Sequence, residues 1–310
     1  VREKNWLNIY LPTSLKGRGM PFHEALELLE QLAYTDGALG WTVTLCSGAH
    51  WFLGFLDPTL RFELLMDDEL CITGSGEAGG RVEKMDKGFW AEGEWPHASG
   101  AGFATHLTAN CKWDDKTYAF VFRKAEAALF SNWTTMGMKA TASHGFRVKH
   151  TWIPENRLFE IDPGRATDPD PIFQIPFELL AACTLAVNIT GMTIRFDELA
   201  AAYDPVSTSN ISEGAGVSIR GILEKRSRLF KLAGYHPDTI HAAETEESMR
   251  LAKEITALSI SRVQQLYNRM SLYAAKEETE INRIWRNLHT AALHPVLRSR
   301  QGLIPPQATV

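Results

Sequence analysis

The stretch Gly88–Gly100, GFWAEGEWPHASG, predicts one arm of a β-hairpin and the turn that follows it. Gly88 and Gly93 interrupt a strand pattern, and glycines at such positions mark a bulge or the close approach of another segment to the backbone. Ser99 stands between two small residues, which leaves its hydroxyl and its backbone N–H open to a flat polar ligand. An ordinary hairpin with a tight turn is the alternative for this stretch taken alone.

The composition is that of a globular chain, with 310 residues of which 45% are hydrophobic and 22% are charged. A net charge of -5 and a pI near 6.1 argue against nucleic-acid and anionic-membrane surfaces, because such surfaces need a strong basic field. No uninterrupted apolar run reaches about 18 residues, so we expect no transmembrane helix.

The four cysteines lie far apart and form no C-x-x-C pair. This spacing favours buried thiols in a reducing cytoplasm over a disulfide framework or a zinc site. The histidines show no metal-ligand spacing either, so we expect no metal site. The chain begins at Val1 without a methionine or a signal-peptide pattern, and we expect that an amino-terminal portion is missing.

Three regions follow each other along the chain. Apolar residues at helical spacing predict two helices between Pro21 and Leu56, the second of them buried nearly all round. Short alternating segments between Leu70 and Glu160 predict an antiparallel barrel or sandwich, with a small-residue loop at 74–80. The pattern is helical from Pro176 onward. The predicted domains are 1–67, 68–165 and 166–310, which makes an α+β multidomain chain.

Within the last region, residues 177–203 predict one helix rich in alanine and leucine. Apolar positions from Leu251 to Tyr273 predict a long amphipathic helix, whose apolar face is either the core of the bundle or a subunit interface. A final helix is predicted over Thr279 to His294, where Pro295 ends it. The polar and glycine-rich stretch 204–216 is a candidate lid, which the sequence leaves undecided.

Four segments, in their order along the chain, resemble the acyl-CoA dehydrogenase fold. More narrowly, they are similar to the two-component flavin-dependent monooxygenases of that fold. Examples are hydroxyphenylacetate and hydroxysteroid hydroxylases and dibenzothiophene monooxygenase. The segment Thr73–Gly100, which ends in the quoted stretch, is similar to the "small-residue loop, G-[FY]-x-x-x-G-x-W-x-x-[AS]-S-G" segment of that family. The other three matches are LLEQLAYTDGALGW at 28–41, WTTMGMKATASHGFRVKHTWIP at 133–154 and NRIWRNLHTAALHPVL at 282–297.

The resemblance implies amino-terminal helices, a central β-barrel domain and a carboxy-terminal helical bundle. It also implies an oxygenase component that uses reduced flavin (FMN or FAD) and O2 to hydroxylate an aromatic or similar small apolar substrate. From the same resemblance we expect a separate flavin reductase as partner. We also expect assembly as a homotetramer, a dimer of dimers. The alternatives are an acyl-CoA dehydrogenase-like FAD enzyme that oxidises a carbon–carbon bond, and a scaffold that binds a partner without turnover.

Two histidines are the predicted catalytic residues. His294 stands on one stripe of the last predicted helix with Arg283, Asn287 and Thr290, and the resemblance makes it the general base. The alternative is a solvent-facing histidine favoured by the negative end of a helix. His50 lies on the apolar helix that the resemblance places over the substrate cavity. A core histidine bonded within the protein is the alternative there.

The resemblance also assigns the flavin-binding residues. Ser99 matches a serine that bonds the flavin near N5, and Trp133 matches a tryptophan that packs beside the isoalloxazine, unless it is an aromatic residue of the sheet core. Thr141 and Ser143 match small hydroxyls that contact the flavin or cap a turn. The remaining matches are the residues of the small-residue loop at the start of the sheet: Thr73, Gly74 and Ser75.

Two features set this chain apart from a dehydrogenase. The carboxy-terminal region has His294 where a dehydrogenase would offer a Tyr-Glu-Gly-Thr-like segment, and no carboxylate base can be nominated. The glycines of the small-residue loop do not form G-x-G-x-x-G between a strand and a helix, so we expect no NAD(P)H site. The choice between FMN and FAD and the identity of the substrate have no sequence signature here.

Overall fold

The computed structural model describes residues 1–204, 216–235 and 240–298. Most of the candidate lid at 204–216, and the chain after 298, therefore lie outside the described residues. The helices before the sheet are α1 (Phe22–Thr35), α2 (Gly37–Trp51) and α3 (Pro58–Leu65). Those after it are α4 (Phe177–Tyr203), α5 (Ile219–Ala233), α6 (Ala242–Tyr267), α7 (Ser271–Ala275) and α8 (Glu280–Ala291).

Aspartate caps start the amino-terminal helices where the sequence predicts a turn. The Asp36 carboxylate accepts hydrogen bonds from the backbone N–H groups of Ala38 and Leu39, at 2.9 and 3.0 Å, and Asp57 caps α3 in the same way. These bonds satisfy N–H groups that have no partner inside a helix. Two helices separated by this turn are confirmed, and α2 is buried on almost every side.

The sheet has seven strands in the order β5-β6-β2-β1-β3-β4-β7. The strands are β1 (Ile72–Met85), β2 (Gly88–Ala98), β3 (His106–Trp113), β4 (Lys116–Arg123), β5 (Ala128–Phe130), β6 (His144–Pro154) and β7 (Leu158–Phe159). Strands β1 and β3 run parallel, whereas the other neighbours are antiparallel. The predicted fold class is confirmed, but the sheet is mixed rather than purely antiparallel, because β2 turns back beside β1 before the chain crosses to β3.

The small-residue segment at 74–80 is part of β1 and not a loop, which corrects the prediction. Residues 72–75 pair with β3, and after a register shift the pairing resumes at Gly80. A Cβ at Gly80 would lie 2.2 Å from the Trp95 ring, and one at Gly93 would lie 2.4 Å from the Gly80 Cα. Glycine is therefore required because β1 and β2 approach each other here too closely for a side chain.

Helix α4 is the centre of the helical layer. It packs against α1 and α2 from before the sheet and against α5, α6 and α8 from after it. The helix is long and apolar enough to cross a membrane, but 78% of its most apolar window is buried inside the protein. One apolar cluster thus joins the two helical regions, and a second cluster lies on the sheet around Trp95, Phe120 and Phe146.

The carboxy-terminal helices differ from the prediction at their ends. Helix α6 stops at Tyr267 instead of continuing to Tyr273, and Ser271, the first residue of α7, has a left-handed φ of 52°. The apolar positions Leu251, Ile255 and Leu266 are buried within this chain, so that face belongs to the core of the bundle. Helix α8 ends at Ala291, which places His294 beyond the helix.

Candidate active site

The start of β1 supplies the first part of the site. Thr73 is buried and donates its hydroxyl hydrogen bond to the Ser99 carbonyl. A Cβ at Gly74 would lie 2.0 Å from the Thr108 Oγ1, so glycine allows β1 and β3 to pack closely at this point. Ser75 follows on the same strand and is half-buried. Of the predicted residues, Thr73 therefore contacts the turn after β2, whereas Gly74 and Ser75 pair with β3.

The turn after β2 presents Ser99. Gly100 has a φ of +83°, a conformation that favours glycine, and its N–H donates to the Thr141 carbonyl at 2.8 Å. A Cβ at Gly100 would lie 2.8 Å from the Cys46 Sγ on α2. The turn is thus held between α2 and the segment that leads into β6, and this position fixes the Ser99 hydroxyl.

The segment 131–143 supplies the other predicted flavin residues. The half-buried Trp133 donates its indole N–H to the Met138 carbonyl at 2.8 Å, and the Thr141 hydroxyl donates to the same oxygen, also at 2.8 Å. Met138 and Ala142 both have left-handed φ values, 54° and 45°. Such conformations cost free energy in residues with a side chain, so these hydrogen bonds stabilise an otherwise unfavourable backbone.

A chain of hydroxyl groups joins the separate segments. The Thr141 Oγ1 lies 2.7 Å from the Ser143 Oγ, and the Ser143 Oγ lies 2.8 Å from the Ser99 Oγ. All three residues are buried. The structure therefore brings Thr73, Ser99, Thr141 and Ser143 into one contact network, with Trp133 anchored to the same carbonyl as Thr141.

Helix α8 closes this network through a residue that the sequence did not single out for the site. The Asn287 Oδ1 accepts from the Met138 N–H at 2.6 Å, and Asn287 is only 6% exposed. A Cβ at Gly137 would lie 2.0 Å from the Arg286 carbonyl oxygen, so the segment lies directly on the helix backbone. The sequence signal for Asn287 was its position on the same predicted helix stripe as His294.

His294 lies three residues after the end of α8 and packs against α2. Its ring meets the Trp41 ring edge to face at 5.7 Å between centroids. The Val296 N–H donates to the His294 Nδ1 at 3.3 Å, which places the ring proton on Nε2. Burial lowers the pKa of His294 to about 4, because a charged imidazolium loses hydration there. The imidazole is therefore neutral at physiological pH.

His50 is fully engaged in hydrogen bonds inside the protein. Its Nε2 accepts from the Ile72 N–H at 2.9 Å, and its Nδ1 lies 2.7 Å from the Asn8 Oδ1. Since Nε2 must be the acceptor, Nδ1 carries the proton and donates to Asn8. This geometry favours the alternative of a core histidine bonded within the protein, and a catalytic role of His50 stays a prediction. His50 links the amino-terminal segment, α2 and β1.

Two cysteines also border the site, and nothing in their sequence spacing indicated it. The Cys46 Sγ lies 3.7 Å from the Ser99 carbonyl oxygen and contacts Cys71 just before β1. The Cys46 thiol donates to the Cys71 sulfur and lowers the pKa of Cys71 to about 5. The cysteines of the described residues are free, so these two form a close dithiol pair next to Ser99.

Two surface cavities lie elsewhere on the molecule. An open groove of about 630 Å³ crosses the sheet beside Gly79 and Gly93, and its charged walls include Arg147 and Glu94, which pair with each other. A cavity of about 140 Å³ lies between α3 and the strands β3 and β4. Neither touches the hydroxyl chain. The groove is open to solvent and could not keep water from a reacting group, so the buried network is the better candidate site.

No established family profile matches the chain. It is 23% identical over 303 residues to the "Flavin-dependent monooxygenase, oxygenase subunit HsaA" of Mycobacterium tuberculosis, and this alignment covers 86% of the chain and 76% of the relative. The crystal structure of the M. tuberculosis HsaA monooxygenase superposes with a TM-score of 0.86 at 18% identity, covering 96% of this chain and 84% of that one.

Two further structures share the architecture. XiaF from Streptomyces, described in complex with FADH2 and glycerol, has a TM-score of 0.82 at 17% identity and covers 96% of this chain and 83% of its own. A glutaryl-coenzyme A dehydrogenase has a TM-score of 0.76 at 15% identity and covers 94% of this chain and 81% of its own. The chain therefore has the acyl-CoA dehydrogenase fold, and its sequence is similar to oxygenase subunits of flavin-dependent monooxygenases.

Proposed function

We propose that this chain is the oxygenase component of a two-component flavin-dependent monooxygenase that hydroxylates an aromatic or similar small apolar substrate. The observation that carries the proposal is the convergence of Ser99, Ser143, Thr141 and the Trp133 anchor in one buried network. These are the residues that the resemblance assigns to the flavin. The family relationship supports this function over a dehydrogenase, for which no carboxylate base can be named.

The residues present fit a flavin ring. Trp133 offers a half-buried indole whose orientation is fixed by its hydrogen bond to Met138. The segments that carry Ser99, Trp133 and His294 also carry the exposed apolar side chains Phe103, Met136 and Leu293. Apolar surface beside a few oriented polar groups is what a tricyclic ring with polar edges requires. When bound, reduced flavin supplies the electrons that activate O2.

His294 is the proposed group for proton transfer. Its neutral imidazole keeps a lone pair on Nδ1, which is shared only with the long hydrogen bond from Val296. Accepting a proton from a phenolic substrate at this atom requires the loss of that one bond. Removing the proton raises the electron density of the aromatic ring, which favours attack on an electrophilic oxygen. Trp41 holds the imidazole from the side of α2.

The remaining parts of the proposal concern location and partners. Reduced FMN or FAD would come from a separate reductase, as the term "oxygenase subunit" in the names of the relatives suggests. The free cysteines of the described residues are compatible with a reducing cytoplasm. Assembly as a homotetramer, a dimer of dimers, follows from the resemblance, and size-exclusion chromatography with light scattering would test it.

The test begins with the binding of reduced FMN and FAD under anaerobic conditions, followed by ¹⁸O2 and a panel of phenols and indoles. We expect ¹⁸O in a hydroxylated product. His294→Ala should keep flavin binding within about twofold but lower the ratio of product to oxygen consumed by about tenfold or more. His289→Ala is the matched control, because His289 lies on α8 and its ring bonds the Trp285 carbonyl.

Other outcomes would overturn the proposal. Bleaching of a bound oxidised flavin by an acyl-CoA would identify a dehydrogenase instead. Failure of the wild-type protein to bind either flavin would remove the oxygenase function altogether. Equal coupling in His294→Ala and in the wild-type protein would exclude His294 from proton transfer while leaving the reaction class intact.

A further inference from the structure

The oxygen–oxygen distances in the hydroxyl chain define which hydroxyl group donates and which accepts each hydrogen bond. Three oxygen–oxygen contacts follow each other: 2.8 Å from the Met138 carbonyl to Thr141, 2.7 Å from Thr141 to Ser143, and 2.8 Å from Ser143 to Ser99. Each is the length of an O–H···O hydrogen bond. Each contact therefore needs one proton between its oxygens, because two lone pairs at this distance repel.

Only one arrangement of protons satisfies all three contacts. The Met138 carbonyl has no proton, so Thr141 must donate to it. Thr141 has a single hydroxyl proton, and Ser143 must therefore donate to Thr141. Ser143 has then used its own proton, and Ser99 must donate to Ser143. Three hydroxyl protons fill three contacts, and all of them point from Ser99 towards Met138.

At its Ser99 end, the hydroxyl chain therefore offers a hydrogen-bond acceptor. The Ser99 Oγ has given its proton to Ser143 and keeps its lone pairs, and within the described residues it receives no hydrogen bond. The neighbouring donors are directed elsewhere, since the Thr73 hydroxyl donates to the Ser99 carbonyl oxygen and the Cys46 thiol donates to the Cys71 sulfur. A ligand at Ser99 must therefore offer an N–H or O–H group to this oxygen.

We propose that this oriented chain makes the site selective for the redox state of the flavin, with Thr141 and Ser143 as positioning residues. Reduced isoalloxazine carries an N–H at N5, whereas the oxidised ring has a lone pair there, which would face the lone pairs of Ser99. The inference rests on the proposed function, which places the flavin against Ser99. Thr141 and Ser143 do not touch the ring in this arrangement. They disfavour binding of the oxidised flavin because they fix the direction of the Ser99 hydroxyl.

The test compares dissociation constants for oxidised and reduced flavin, measured anaerobically, in the wild-type protein and in Ser143→Ala. In the variant, Ser99 recovers its proton and can donate to oxidised N5. We expect the ratio of oxidised to reduced dissociation constants to fall by about tenfold, the effect of one hydrogen bond, mainly because the oxidised form binds more tightly. The potential of the bound flavin should fall by about 30 mV.

A second variant and a control complete the experiment. Thr141→Val removes the donor at the other end of the chain and should change the ratio in the same direction. Ser248→Ala removes a buried hydroxyl that donates to the Thr245 carbonyl on α6, and it should leave the ratio unchanged. Thermal unfolding of each variant reports on folding.

A purely structural role for the chain predicts that both flavin forms are weakened equally. That result, or an unchanged ratio, would overturn the inference even if the protein still hydroxylates its substrate. If the wild-type protein binds no flavin, the proposed function itself fails, so the two failures are distinguishable.

Discussion

At the scale of single residues, hydrogen bonds distinguish the two histidines that the sequence predicts as catalytic, His294 first and His50 second. Both ring nitrogens of His50 have partners inside the protein. His294 has one long bond from a backbone N–H, and its other ring nitrogen has no partner among the described residues. The proposed accepting atom of His294, Nδ1, is held only by that long bond within the described residues, whereas both ring nitrogens of His50 are committed to shorter ones. His294 therefore remains the candidate for chemistry, and His50 acts through the positions of α2 and β1.

The buried neutral state of His294 predicts how stability depends on pH. Between pH 6.5 and 4 the unfolded chain binds a proton at His294 and the folded chain does not. The free energy of unfolding should therefore fall as the pH falls through this window, by up to about 3 kcal/mol from this residue. Above pH 6.5 both states are neutral and the contribution disappears.

Urea unfolding of the wild-type protein and of His294→Gln at pH 7, 5.5 and 4.5 checks this expectation. The variant should lose less stability on acidification than the wild-type protein. Part of the slope should remain, because burial also lowers the pKa of His106 to about 4. Parallel curves for the two proteins would contradict the account.

At the scale of elements, the site depends on the contact between α8 and the segment 131–143. Asn287 bonds the Met138 N–H, and Gly137 lies against the carbonyl of Arg286. The segment carries Trp133 and Thr141, while α8 leads to His294. The contact therefore sets the distance between the proposed flavin residues and the proposed base, although those residues are far apart in the sequence.

Gly137→Ala should push the segment 131–143 away from α8. The added Cβ would meet the Arg286 carbonyl oxygen at 2.0 Å, so the backbone must move, at a cost of about 1–3 kcal/mol of stability. Flavin binding should weaken by about tenfold as the Met138 anchor shifts. Gly102→Ala is the control, since its Cβ would meet nothing closer than 4.0 Å. Unaltered flavin binding in Gly137→Ala would show that the contact is not required.

At the scale of the whole molecule, the helices before and after the sheet form one layer. Glu30 of α1 is 7% exposed and accepts from the Thr190 hydroxyl of α4 at 2.5 Å and from the Arg226 guanidinium of α5. Three helices from distant parts of the chain therefore meet at the Glu30 carboxylate. This polar contact joins the predicted domains 1–67 and 166–310, which also share one apolar core. This layer supports the face of α2 on which the site is built.

Glu30→Met should cost about 2 kcal/mol in the free energy of unfolding, because it leaves the Arg226 charge partly buried without a partner. Adding Arg226→Met should restore most of that loss, since two apolar side chains can pack where the ion pair was. In both variants the Thr190 hydroxyl can donate its proton to the Val187 carbonyl instead of to Glu30. Urea denaturation checks the comparison, and a double variant no more stable than the single one would refute it.

The sequence alone determined the order of helices, sheet and helices, because the apolar period changes from helical to alternating near Leu70 and back near Pro176. It also supplied the residues proposed for flavin binding, since the hydroxyls and Trp133 stand in short local patterns that carry the resemblance. Only the tertiary structure decided that β1 runs through the glycines at 74–80, because pairing with β2 and β3 overrides the loop signal. Only the structure showed the hydrogen bonds of Asn287, of His50 and of the oriented hydroxyl chain. Partners that lie far apart in the sequence produce no repeating pattern of residues from which such bonds could be predicted.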